Sequence, residues 1–277
     1  MTSLAEIEEL LTPLLDRAAE LSFDARQLID ELLGPDCTFG TMPDAVIYRL
    51  HLAATSTYRG GLFCLRVPET SFNAYSLLRG LLEAWSHLEF IADASAGGDI
   101  RCRALRYELG ATREWSNVLH AAPSYFDKGT WLLGHDDKER ELQKLWNERG
   151  CSGHVRSYGD VGPTLKVISA RSDMEWVYGV WRSASATVHM YGTDFLLATK
   201  GDTTRLVWAL PSFRATWLAF LVSAHSYLSV TAMKILNEGD SRIVEFHERS
   251  RALVEEPLLR QIAGQMFDEG YSLYEEP

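Results

Sequence analysis

The segment Arg182-Ser-Ala-Ser-Ala-Thr-Val-His189 carries the most suggestive chemistry in the sequence. Six residues separate its arginine from its histidine, so on an α-helix the two stand almost two turns apart on one side. Tyr178 and Ser185 fall between or beside them, while Trp181, Ala184 and Val188 fall on the side expected to face a core. A guanidinium holds a phosphate through two hydrogen bonds. An imidazole of ordinary pKa moves a proton near neutral pH. Together they suit cleavage of a phosphodiester by its own 2′-hydroxyl, with no metal. The plainer alternative is that Arg182 pairs with a carboxylate such as Glu83 and His189 caps a buried polar contact. Spacing alone leaves both open.

A second group is Arg79, Glu83 and His87, which fall at i, i+4 and i+8 on one helix face, flanked by Phe72 and Phe90. It reads either as a solvated face with an ion pair worth a few tenths of a kcal/mol or as one wall of a groove facing another helix. Glu83 and His87 could ligate a metal, but a carboxylate-bridged site needs a second matching pair, and none is present. Arg101, Arg103, Arg106 and Arg113 form the most basic stretch, suited to steering RNA or to a solvated face interleaved with Glu108 and Glu114. His51, His120, His135, His154, His225 and His247 show no ligand spacing, and His225 reads as a core histidine. There is no G-x-S-x-G elbow, P-loop or strand-flanked G-x-G-x-x-G.

The elements that must position these groups are nearly all helices. Ser3-x-x-Glu6 is a capping box. It opens a helix over 3–34 with a stripe of Leu4, Ile7, Leu10, Leu11, Leu14 and Leu15. Helices are expected from Pro43 to about Val67, bent or broken at Gly60-Gly61, and from Pro68 to about Ala96, with Leu77, Leu78, Leu81, Leu82, Trp85 and Leu88 inward. Another is capped by Asp99 and runs to about Ala122. Residues 123–135 read as a loop, Asp136 to Arg149 as a short charged helix, and the glycine-rich 150–162 as the likeliest mobile loop. Ser172-x-x-Glu175 is a second capping box, opening a helix that ends near Gly192. Phe195–Thr199 and Thr203–Trp208 flank Lys-Gly-Asp and read as a β-hairpin. A long helix follows Pro211, and a last one spans 240–268. The expectation is one all-α domain over 1–277, a multi-helix bundle with one small hairpin near 195–208, its 3–34 and 240–268 helices peripheral.

Composition narrows the class. Hydrophobic residues at 46% and charged residues at 23% exclude a disordered chain and a plain coiled coil. The net charge of −11 disfavours long-range attraction to nucleic acid or an anionic membrane, without excluding a local basic groove. Ala215–Met233 has no charged residue over 19 positions, but its serines, threonines and His225 fit a buried central helix better than a membrane span. Cys37, Cys64, Cys102 and Cys151 form no C-x-x-C pair, and their spacing reads as reduced thiols in a cytoplasmic protein.

An Arg and a His with six residues between them on a helix of an all-α protein resemble the motif of HEPN-type domains (higher eukaryotes and prokaryotes nucleotide-binding). The chain also looks like uncharacterised bacterial helical proteins that pair an Arg-x-x-x-Glu helix with a later Ser-x-x-x-His helix, here Arg79/Glu83 and Ser185/His189. The resemblance spans about 45–200. It implies a helical homodimer and a metal-independent endoribonuclease of toxin–antitoxin or phage-defence systems, with Arg182 on the scissile phosphate and His189 in proton transfer. Ser185 and Tyr178 would complete that site, supported by Arg79, Glu83 and His87. No cofactor or metal is expected. The expected partners are RNA, a second copy and an antitoxin or other protein, with no membrane. The alternative is a non-catalytic helical module binding a protein partner or small ligand. Both readings require Arg79/Glu83 to meet Arg182/His189 in space, and that contact is expected.

Overall fold

A helix with no polar face must be covered on all sides, and the segment after Pro211 is such a helix. In the computed structural model, which describes residues 4–34, 43–121, 128–188, 197–200, 203–206 and 210–264, it becomes the axis of an all-α fold. The helices are α1 (Leu4–Leu33), α2 (Asp44–Arg66), α3 (Ser71–Ala92), α4 (Ile100–Ala121), α5 (Lys128–Glu148), α6 (Val161–Ser169), α7 (Trp176–Val188), α8 (Pro211–Asn237), α9 (Ser241–Val254) and α10 (Pro257–Gly264). α8 packs against α1, α2, α3, α9 and α10. Its Leu218, Leu221, Val222 and Leu228 are withdrawn from solvent, each stabilising the fold by about 1.5–3 kcal/mol. Between α7 and α8, Leu197–Lys200 and Thr203–Leu206 pair antiparallel, a ribbon too small to make a core of its own.

His225 and Ser229 of α8 find partners inside the bundle. His225 stacks on Tyr58 of α2 with ring centroids 4.1 Å apart. His51 Nε2 lies 3.1 Å from Ser229 Oγ, and Tyr58 donates to Ala18 O of α1 at 2.9 Å. Burial holds both imidazoles far below the ordinary histidine pKa, His51 to about 3, so His225 is the core histidine its position suggests.

α4 and α5 form a separate hairpin. α5 packs mainly on α4, and Cys102, Leu105, Leu109, Leu142 and Cys151 make a second small core. Cys102 and Cys151 are joined by a disulfide. This corrects the expectation of reduced thiols for these two. Their separation of 49 in sequence hid a pair that the hairpin brings together. Cys64 is free, and Cys37 lies outside the described residues.

Several boundaries differ from expectation. α2 runs through Gly60-Gly61 unbroken. A Cβ on Gly61 would stand 3.0 Å from Leu221 Cδ1, so this glycine permits close approach of α2 to α8. α5 begins at Lys128, inside the expected 123–135 loop; residues 122–127 lie outside the described residues. Leu10 of the N-terminal stripe is 39% exposed, while Leu11, Leu14 and Leu15 are buried. Ser3 is not described. Ser172 does not open α7, which starts at Trp176, after a turn in which Asp173 has φ 66°. α6 was not foreseen. The expected last helix over 240–268 is two, α9 and α10, because Pro257 has no N–H with which to continue the first.

Gly60 and Gly110 predict opposite outcomes. A Cβ on Gly60 meets only Leu77 Cδ1, at 3.4 Å, so Gly60→Ala should hold or raise stability, by up to about 1 kcal/mol. A Cβ on Gly110 would fall 1.7 Å from the carbonyl oxygen of Arg156, so Gly110→Ala should cost at least about 2 kcal/mol. Urea denaturation of the two variants checks both.

Candidate functional site

α3 and α7 meet through Glu83. Its Oε1 accepts hydrogen bonds from Arg79 Nε at 2.8 Å, Tyr158 OH at 3.1 Å and Trp181 Nε1 at 3.2 Å. Arg79 also donates to Tyr158 OH. The two motif helices thus lie side by side, but the expected contact between Arg79/Glu83 and Arg182 is not made. The residue that joins them is Trp181, however, not Arg182. Trp181 was expected on the core side with Ala184. Val177 and Ala184 do form the buried side of α7, but Trp181 is only partly buried and reaches Glu83 across the groove.

Arg182 is exposed, and among the described residues no carboxylate pairs with it. Its guanidinium carbon lies 6.0 Å from the centroid of the Tyr178 ring, which Lys166 Nζ also approaches, at 5.1 Å. Pairing of Arg182 with Glu83 is therefore corrected: Arg79 holds that carboxylate. Ser185 donates to Trp181 O at 2.8 Å, one turn back on its own helix. His189 lies outside the described residues.

The loop expected to be mobile is the anchor of this region. Ser157 and Asp160 form a capping box, with Asp160 Oδ2 accepting from Ser157 N at 2.7 Å and Ser157 Oγ at 2.9 Å. These bonds outweigh burial and hold the Asp160 carboxyl below the usual range. Arg156 beside it is 4% exposed. It donates to Thr164 Oγ1 at 2.8 Å, His87 Nδ1 at 3.3 Å, and Ser86 O and Oγ at 3.3 Å each. Its guanidinium lies 5.0 Å from the Phe90 centroid. Burial lowers the Arg156 pKa to about 10, still charged at neutral pH.

His87 is consequently neither a metal ligand nor a proton shuttle. Its Nδ1 accepts from Arg156, which assigns its proton to Nε2. Burial, then the Arg156 charge, press its pKa to about 3. Among the described residues no group of three or more His, Cys, Asp or Glu side chains is placed to hold a metal ion. The basic stretch is also absorbed. Arg103 donates to Ile91 O at 2.7 Å and Gly98 O at 2.6 Å, and Arg106 to Ala96 O at 2.7 Å and His154 O at 2.6 Å. Both clamp the chain leaving α3, and Arg113 pairs with Glu139 at 2.8 Å. Of that group only Arg101 and Arg113 are exposed.

Sequence reasoning missed Arg156, Tyr158 and the role of Trp181. Ser157-x-x-Asp160 was the available signal: a capping box marks an ordered turn even among glycines. What the groove offers chemically is one carboxylate with three donors on a single oxygen, a phenol 47% exposed at Tyr158, and exposed cations at Lys166 and Arg182 beside an aromatic ring. No family model, no curated protein and no solved structure matches the chain.

The neutral histidines set a pH dependence. His51 and His87 each have a folded pKa of about 3 against 6.5 unfolded. Between those values the unfolded chain binds more protons, so this stability is whole above pH 6.5 and is lost as pH falls. His87→Asn, which keeps an acceptor for Arg156, should lose about 1–2 kcal/mol less than the wild type between pH 7 and pH 5, measured by urea denaturation at both.

Proposed function

We propose that the chain is a HEPN-like, metal-independent endoribonuclease, acting in the cytoplasm as a toxin or phage-defence effector. The observation that carries this reading is Arg182: an exposed arginine over the Tyr178 ring, with Lys166 beside the same ring. A guanidinium and an ammonium next to an aromatic face suit single-stranded RNA, whose phosphates take the charges and whose bases stack. In the mechanism Arg182 binds the scissile phosphate. His189 takes the 2′-hydroxyl proton as that oxygen attacks phosphorus, and the 5′-oxygen leaves with a proton, giving a 2′,3′-cyclic phosphate end.

Tyr178 is a stacking residue in this scheme. Ser185 supports the helix through Trp181 O and takes no part in the chemistry. Arg79 and Glu83 position α7 through Trp181, and His87 positions Arg156. A homodimer would set the Arg182 and His189 of two protomers in one site, with an antitoxin or other protein covering it. The cytoplasmic setting rests on the RNA substrate and no longer on the cysteines, since reducing pools oppose the Cys102–Cys151 bridge.

The second reading, a non-catalytic helical module, is favoured by one observation: the Glu83 oxygen has three donors already and the Ser185 hydroxyl is turned back onto its own helix.

Expression in a bacterial host tests the proposal, with total RNA run on a gel and cleavage by purified protein measured in EDTA. Wild type should arrest growth, fragment RNA and cleave with metal chelated. His189→Ala should lower cleavage by about 10²–10⁴-fold, and Arg182→Ala should lower it with the Tm unchanged. Intact RNA from purified wild type, or cleavage retained in His189→Ala, would overturn the reading in favour of the binding module.

A further inference from the structure

Glu89 sits a third of a turn round α3 from Glu83 and faces a different space. There a cavity of about 480 Å³ opens between α3, α8 and α9, a volume typical of small-molecule sites. Tyr227, half-buried, walls it, its ring backed by the buried Trp85 with centroids 5.4 Å apart and planes 8° from parallel. A second cavity of about 340 Å³ adjoins on the far side of Tyr227 and His247, which line both.

The polar groups of the larger cavity divide into engaged and available. Glu89 is engaged. It accepts from Trp85 Nε1 at 3.1 Å, Thr231 Oγ1 at 3.0 Å and Arg171 Nη2 at 2.7 Å, and its side chain is 14% exposed. A carboxylate so satisfied has little to offer a cationic ligand. Lys234 is exposed at the rim and makes no ion pair among the described residues, although Glu238 lies one turn on. His247 lies across α8 from it, with Nδ1 3.1 Å from Ser226 Oγ. Burial, then the charges of Lys234 and Arg251, keep that imidazole neutral at pH 7. The remaining donors thus favour an anion, and the wall favours a flat ring.

We propose that this cavity is a binding site for a small planar aromatic carboxylate, its ring against Tyr227 and its carboxylate on Lys234 and His247. The site is separate from the α3–α7 groove and independent of the ribonuclease reading. Such a cavity binds by burying the ring, and its polar groups set orientation and charge preference.

Calorimetric titration of the full chain with indole-3-acetate and with its uncharged counterpart indole-3-acetamide tests this. The acid should bind with a Kd below about 1 mM and at least about tenfold tighter than the amide, the difference one charge-assisted contact makes. Lys234→Ala should bring the acid to the affinity of the amide. Ala92→Trp, at an exposed position on the cavity mouth, should weaken both at least about tenfold. Thermal denaturation establishes that each variant is folded, and should Ala92→Trp fail to fold, the Lys234→Ala comparison decides. Absence of binding by the acid at about 5 mM, equal binding of acid and amide to the wild type, or binding untouched by Lys234→Ala would each overturn the proposal.

Discussion

A buried guanidinium must be met by acceptors, and the arrangement of the candidate site follows from how Arg156 is met. Among the described residues no carboxylate pairs with it; Ser86, His87 and Thr164 supply the acceptors and Phe90 supplies a face. Those partners come from two helices, α3 and α6, so satisfying one side chain fixes the loop to both. The backbone joins in: Arg156 N donates to Arg106 O at 3.2 Å, and the carbonyl of Arg156 presses on Gly110 so closely that no side chain fits. Tyr158 is then delivered two residues later to Arg79 and Glu83. The protonation of His87 is settled by the same contact, because an imidazole accepting from a guanidinium cannot also carry a proton on that nitrogen.

α3 serves as the ruler of the molecule. Its leucines enter the core at helical spacing, while Arg79 and Glu83 line the groove toward α7, His87 turns to Arg156, and Trp85 and Glu89 face α8. Both glutamates accept from an arginine, an indole N–H and a hydroxyl. Each ties α3 to a neighbouring helix at a depth where an unanswered carboxylate would be costly. Exposed cations near these two knots, Arg182 on one side and Lys234 on the other, are left to meet molecules from outside.

Periodicity made much of this legible. The all-α class, the bounds of α2 and α8, the Asp99 cap, whose Oδ1 accepts from Cys102 N at 2.7 Å, and the adjacency of α3 and α7 follow from spacing and capping chemistry. What escaped reading depended on contacts distant in sequence. Gly60-Gly61 looks like a break until Leu221 is seen against it. Arg103 and Arg106 look like a basic surface until the carbonyls behind α3 are placed. Cys102 and Cys151 look like lone thiols until α4 and α5 fold back. Trp181 and Arg182 are adjacent in the chain, and only the position of Glu83 decides which one turns inward. His189, the other half of the motif, lies outside the described residues.

The α4–α5 hairpin has its own small core and leans on the rest of the molecule through α3 and the Arg156 loop. Opening it would not require the cluster around α8 to come apart. The free energy of such opening is therefore set locally, and amide protons on α5 would exchange with solvent through excursions that leave those of α8 protected. The Cys102–Cys151 bridge bounds how far such an excursion goes. The two helices of the hairpin separate but cannot drift, so every opening returns to the same register, and with it the loop that carries Arg156 home.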